Sequence, residues 1–147
     1  MFNWPTEQAC KDFWDNEVDN MLAKAPVRKN ARKILQKLKQ ERHTLIIITA
    51  RSLKDHKDPY NMSYNWLVKN NIPFDKLLVG HLDKAQACLD EKLDIFIDDY
   101  PKNIIEVGEA GIETILIKAP HNVEFEGKTK RAKNWKQIYK IIKNIDK

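Results

Sequence analysis

Glycine is scarce in this sequence, with only Gly80, Gly108, Gly111 and Gly127 among 147 residues. Their spacing builds neither a GxGxxG dinucleotide turn nor a GxxxxGK[ST] phosphate loop, which excludes two large nucleotide-binding classes. Cysteine is scarcer still. Cys10 and Cys88 stand 88 − 10 = 78 positions apart with no CxxC, so a disulfide scaffold and a cysteine zinc site are excluded and a reducing compartment fits. The four histidines, His43, His56, His81 and His121, form no HxxxH or HExxH pair, which argues against a zinc site. The longest apolar run, Leu45–Ile48, is far shorter than the roughly 20 residues of a membrane span, and no signal peptide opens the chain. A soluble, cytoplasmic protein is expected.

What is present suits one folded domain. Hydrophobic residues make up 42% and charged residues 32%, and four Trp, five Phe and four Tyr can anchor a core. The 26 Lys+Arg against 21 Asp+Glu leave a formal charge of +5. Hydrophobic period then sets the organisation. Residues 6–24 carry Ala9, Phe13, Met21 and Leu22 at helical spacing, and Pro26 breaks the segment. Ala31, Ile34, Leu35 and Leu38 form the single stripe of a second helix. From Thr44 to Thr49 the period changes to a continuous β-branched run, as in a parallel strand covered on both faces. Helices around Met62, Trp66 and Leu67, over 83–92, from Pro101 to a stop at Gly111, and around Trp135, Ile138, Tyr139, Ile142 and Ile145 then alternate with strands over 76–79, 94–98 and 113–117. That alternation predicts βαβ units and a parallel sheet.

In such a sheet, chemistry gathers at the C-terminal ends of the strands. One strand ends Ile48–Thr49–Ala50–Arg51, where a hydroxyl, free backbone N–H groups and a guanidinium can hold an anion; the plainer reading is a strand leaving into a polar loop. Another ends Ile97–Asp98–Asp99, two carboxylates whose repulsion a divalent cation would relieve. A cap for the helix opening at Pro101 would also explain them. Lys84 opens the helix ahead of the Asp–Asp strand, against the helix dipole, so a partner anion would explain its place; a solvated surface lysine is the alternative.

In this order the three segments resemble the haloacid dehalogenase-like phosphohydrolases, and within them the small bacterial and phage group similar to 5′-nucleotidases and deoxyribonucleotidases. Ile47–Arg51 matches the family's second motif, Lys84 its third and Phe96–Asn103 its fourth. The resemblance spans 4–145 and implies a three-layer αβα, Rossmann-like fold. It also implies roles. Thr49 and the Ala50 backbone, with Arg51, would hold phosphoryl oxygens, Lys84 would neutralise the nucleophile and the phosphoryl group, and Asp98 and Asp99 would place Mg²⁺. The implied substrate is a small phosphorylated molecule, a nucleoside monophosphate.

One part of the family pattern is missing. Its nucleophile and general acid lie in an Asp-x-Asp that ends a first, central strand, and no Asp-x-Asp occurs in the 147 residues. Asp12, Asp15 and Asp19 follow no apolar β run. Residues 1–26 instead resemble part of the family's helical cap and 27–147 its α/β core, so the chain is expected to begin inside the cap, truncated ahead of the central strand. Activity should then be lost and metal binding weak. A non-catalytic module binding phosphate or polyanions, or an interaction protein accepting a partner strand or a second copy in the sheet gap, is the competing reading.

The remaining clusters read as structure. Trp4, Phe13 and Trp14 could stack on a base, though aromatics on an amphipathic helix are ordinary core. His81 reads as a loop residue. Residues 128–147 hold eight basic side chains against the single acid Asp146, which suits the solvated face of a docked helix better than a nucleic-acid interface.

Overall fold

The computed structural model describes residues 26–49, 57–80 and 83–145. The expected helix over 6–24, with the cap assigned to 1–26, lies outside the described residues apart from Pro26, as do Ala50, Arg51 and His81. The described chain forms two compact units, one from 26–27, 44–49 and 57–80 and the other from 28–43 and 83–145.

The first unit is a βαβ arrangement. Strand β1, Ile46–Ile48, pairs in parallel with β2, Lys76–Leu78, with Ile47 opposite Leu77. The β-branched run predicted this strand, but its three residues are only half-buried. Helix α2, Pro59–Lys69, connects the two strands. Pro59 occupies its first turn and the Asp58 carboxylate accepts from the Asn61 N–H at 3.1 Å, satisfying a helix-start donor. Past β1, the Thr49 N–H donates to the Leu78 carbonyl at 2.9 Å, so the hydroxyl-bearing residue is held at the strand end.

The second unit opens with α1, Ala31–Gln40, whose Ala31, Ile34 and Leu38 are buried and whose lysines face outward, as the stripe predicts. Helix α3, Lys84–Asp90, leads to β3, Ile95–Asp98. Helix α4, Pro101–Glu109, leads to β4, Glu113–Ile117. Gly111 follows α4 with φ +89°, the left-handed conformation that stops helices, as expected. On α4, Ile104 and Val107 are buried and Ile105 is 45% exposed.

After β4 come two elements that the hydrophobic period did not predict. A 3₁₀ turn, Pro120–Asn122, and a strand β5, Lys130–Ala132, come before the last helix α5, Trp135–Ile145. The sheet order is β3–β4–β5, all parallel, with Asp98 opposite Leu116 and Leu116 opposite Arg131. Four consecutive buried residues, Thr114, Ile115, Leu116 and Ile117, show that both faces of β4 are covered. Helices α4 and α5 both pack on β4, α3 packs on α4, and α1 packs on α5. The strand–helix alternation and parallel pairing are those predicted from period, and the layering is that implied by the resemblance. No described helix is long and apolar enough to cross a membrane.

Candidate functional site

Parallel pairing puts the C-terminal ends of β3 and β4 at one edge, and the polar residues of the second unit collect there. Asp98 is the last residue of β3. Its Oδ1 accepts from the backbone N–H of Asp99 at 2.7 Å and of Tyr100 at 3.4 Å. Tyr100 is the N-cap residue of α4 but makes no side-chain cap bond, so the Asp98 carboxylate takes up donors of the turn that starts the helix.

The other oxygen meets Lys84. Its Nζ lies 3.3 Å from Asp98 Oδ2, and both side chains are largely buried, 16% and 14% exposed. Asn103 Nδ2 donates to the same oxygen at 2.9 Å. A lysine in the first turn of α3, opposed by the dipole, therefore has its anion, and that anion belongs to the protein itself. Burial raises the Asp98 carboxyl's proton affinity, but Lys84, Asn103 and the Asp99 N–H outweigh it and hold the group below its usual range.

Asp99 is placed differently. Its side chain is 40% exposed, with Arg28 Nη2 3.6 Å and His121 Nε2 3.9 Å from Oδ2. Burial first, then the neighbouring Asp98 carboxylate, pushes its proton affinity above the usual range, against His121 and Arg28. The two carboxylates thus divide the work. Asp98 is ionised and fully engaged; Asp99 is the one open to solvent and to a further cation.

That difference decides how a divalent ion fits. Among the described residues no group of three or more His, Cys, Asp or Glu side chains could enclose one. The outward Asp99 carboxylate, under like-charge repulsion, is a suitable hard oxygen donor, and Mg²⁺ commonly takes one or two carboxylates with waters and substrate phosphate completing an octahedron. The residues present fit a shared ion and not an enclosed one.

Of the residues singled out from sequence, Lys84, Asp98 and Asp99 come together here. Thr49 lies at the end of β1 in the other unit. Arg28, His121 and Asn122 went unnoticed as site members. The Asp99 carbonyl oxygen lies 2.7 Å from Asn122 Nδ2 and 3.0 Å from His121 Nε2. A carbonyl only accepts, so His121 carries its proton on Nε2 when it makes this bond. The signal was available, because Pro120–Asn122 follows the end of β4, the edge where chemistry was expected.

Comparisons with known proteins identify the family. Residues 17–146 match the model of the family described as 5′ nucleotidase, deoxy (pyrimidine), cytosolic type C protein. A Bacillus subtilis protein named as a candidate nucleotidase, YqfW, is 32% identical over 140 residues, covering 91% of this chain and 70% of its own length. The nucleotidase CA_C3379 of Clostridium acetobutylicum is 26% identical over 147 residues, 99% of this chain and 73% of its own. A crystal structure of a HAD-superfamily hydrolase from Ehrlichia chaffeensis superposes with a TM-score of 0.59 at 17% identity, covering 92% of this chain and 71% of that one, a likeness of fold. The chain therefore belongs to the 5′ nucleotidase, deoxy (pyrimidine), cytosolic type C family, within the haloacid dehalogenase superfamily and its αβα, Rossmann-like fold.

Proposed function

We propose that this chain carries the charge-stabilising part of a Mg²⁺-assisted phosphomonoesterase site for nucleoside monophosphates, pyrimidine deoxynucleotides first among them. The observation that carries this reading is the Lys84 ammonium held 3.3 Å from Asp98 at the end of β3, beside the outward carboxylate of Asp99. Asp98 fixes the lysine, and Lys84 offers its remaining N–H donors to phosphoryl oxygens. By their resemblance to the family's second motif, Thr49, Ala50 and Arg51 would offer hydroxyl, backbone N–H and guanidinium donors to phosphoryl oxygens. Asp99 would hold the Mg²⁺ ion, which when bound neutralises phosphoryl charge. Phosphoryl transfer depends mainly on positioning and charge stabilisation, and these residues provide both.

The 147 residues contain no Asp-x-Asp to form a covalent intermediate. Charge stabilisation then leaves only direct attack by water, and the chain by itself is expected to turn over substrate no faster than background. The test is hydrolysis of a panel of nucleoside monophosphates with Mg²⁺, by the chain alone and by a fusion supplying an apolar strand that ends in Asp-x-Asp. The fusion should be active and its Lys84→Ala variant should lose several orders of magnitude. Robust turnover by the chain alone, abolished in Asp98→Asn, would mean that another nucleophile operates, with Asp12, Asp15 and Asp19 the first to substitute.

A further inference from the structure

We propose that Asn122 is a positioning residue for the Asp98–Asp99 turn, acting as a side-chain rung that extends the β3–β4 ladder by one residue and thereby aims the Asp99 carboxylate. The proposal rests on Asp99 being the cation-holding group.

The ladder itself stops one residue short. Pairing between β3 and β4 ends at Asp98 opposite Leu116, so the Asp99 carbonyl has no strand partner in that register. Asn122 supplies one. It is 3% exposed, one of the few buried polar residues described. Its Nδ2 donates to the Asp99 carbonyl at 2.7 Å and to the Ile117 carbonyl at 3.0 Å, and its Oδ1 accepts from the Ala119 N–H at 3.0 Å. Both amide hydrogens and one oxygen lone pair are used. The side-chain nitrogen thus bridges the last residue of β4 and the turn beside β3, while the oxygen is anchored by Ala119, two positions past the strand.

Consequences follow from the geometry of that turn. The Asp99 N–H is tied to Asp98 Oδ1 and its carbonyl to Asn122, so the backbone on both sides of the Asp99 Cα is fixed. The Cα–Cβ bond that carries the carboxylate is then aimed before any ligand arrives. Groups that orient a metal-binding carboxylate typically change metal affinity by about 10- to 100-fold when lost. His121 adds a second bond to the same carbonyl from an exposed position, whereas Asn122 is buried and bridges both strands.

A merely structural role has a matched control at the other end of β4. Thr129 Oγ1 bonds Thr114 Oγ1 at 2.7 Å and donates to the Thr114 carbonyl at 3.1 Å, near the strand start and away from Asp99. The experiment titrates Mg²⁺ into the 147-residue chain while backbone and side-chain amide resonances are followed, for wild type, Asn122→Ala and Thr129→Val, with melting temperatures recorded alongside. Both substitutions should lower the melting temperature. Only Asn122→Ala should weaken Mg²⁺ binding at Asp99, by about tenfold. In the wild type the Asn122 side-chain NH₂ signals should shift with the same midpoint as the Asp99 amide, a readout that holds even if Asn122→Ala fails to fold. Unchanged affinity in a folded Asn122→Ala, or NH₂ signals that stay still while Asp99 saturates, would overturn the inference and leave the proposed function standing. No saturable shift at Asp99 in the wild type would overturn the cation assignment and this inference together.

Discussion

Lys84 shows how far one residue could be read from sequence. Its unfavourable place at a helix start called for an anion, and the structure supplies Asp98 Oδ2 at 3.3 Å. The identity of that anion was not legible, because a helix start does not say which strand end it faces. Asn122 was invisible for a related reason: its function lies in bonds to Asp99 and Ile117, and only the β3–β4 register makes those atoms neighbours. The surroundings of Cys88 make it an inert thiol. It sits on α3 one turn beyond Lys84 with no exposed surface, and burial pushes its thiol up to about 11, with Asp98 adding to the rise and Lys84 opposing it. In a Cys10→Ser background it should resist a disulfide reagent at pH 8 while the chain is folded and react fully in denaturant. Rapid reaction in the native state would show that α3 opens readily.

At the level of elements, helices and inner strands were readable because each carries one period over a continuous run, as the Ala31, Ile34, Leu38 stripe does in α1. Strand β5 was not. Its Lys130 and Arg131 are charged and exposed, and only Ala132 is apolar and buried. Such charged residues protect an edge strand from pairing with other chains, and they read as loop. The docking of α1 on α5 has its own polar seam. Tyr139 Oη donates to Glu41 Oε2 at 2.8 Å, Lys143 Nζ lies 3.3 Å from Glu41 Oε1, and Lys37 Nζ sits 4.5 Å above the Tyr139 ring. The hydrogen bond from Tyr139 is the main cause that holds the Glu41 carboxyl below its usual value of 4.5. A carboxyl with a lowered folded-state value contributes stability that is fully present above pH 4.5 and lost as pH falls through that lowered value. Thermal melts from pH 7 down to pH 3 should therefore show a steeper acid loss in wild type than in Tyr139→Phe. Parallel curves would mean that the seam adds nothing to the docking.

For the whole molecule, a formal charge of +5 favours the approach of anionic substrates, an effect that weakens with salt. The fold was legible at this scale because strand–helix alternation leaves few topologies, and the strand-end rule singled out Asp98 and Asp99. The central claim is that Lys84, held by Asp98, binds phosphate. Its most direct test needs no turnover: titration of inorganic phosphate with Mg²⁺ into the 147-residue chain and into Lys84→Met, which keeps a long apolar side chain and removes the charge. The amides of Asp99 and Tyr100 report binding. A charge-assisted hydrogen bond is worth about 1.5–3 kcal/mol, so saturable shifts in the wild type should weaken by about tenfold or more in the variant. Equal phosphate affinity in the folded Lys84→Met chain would contradict the account.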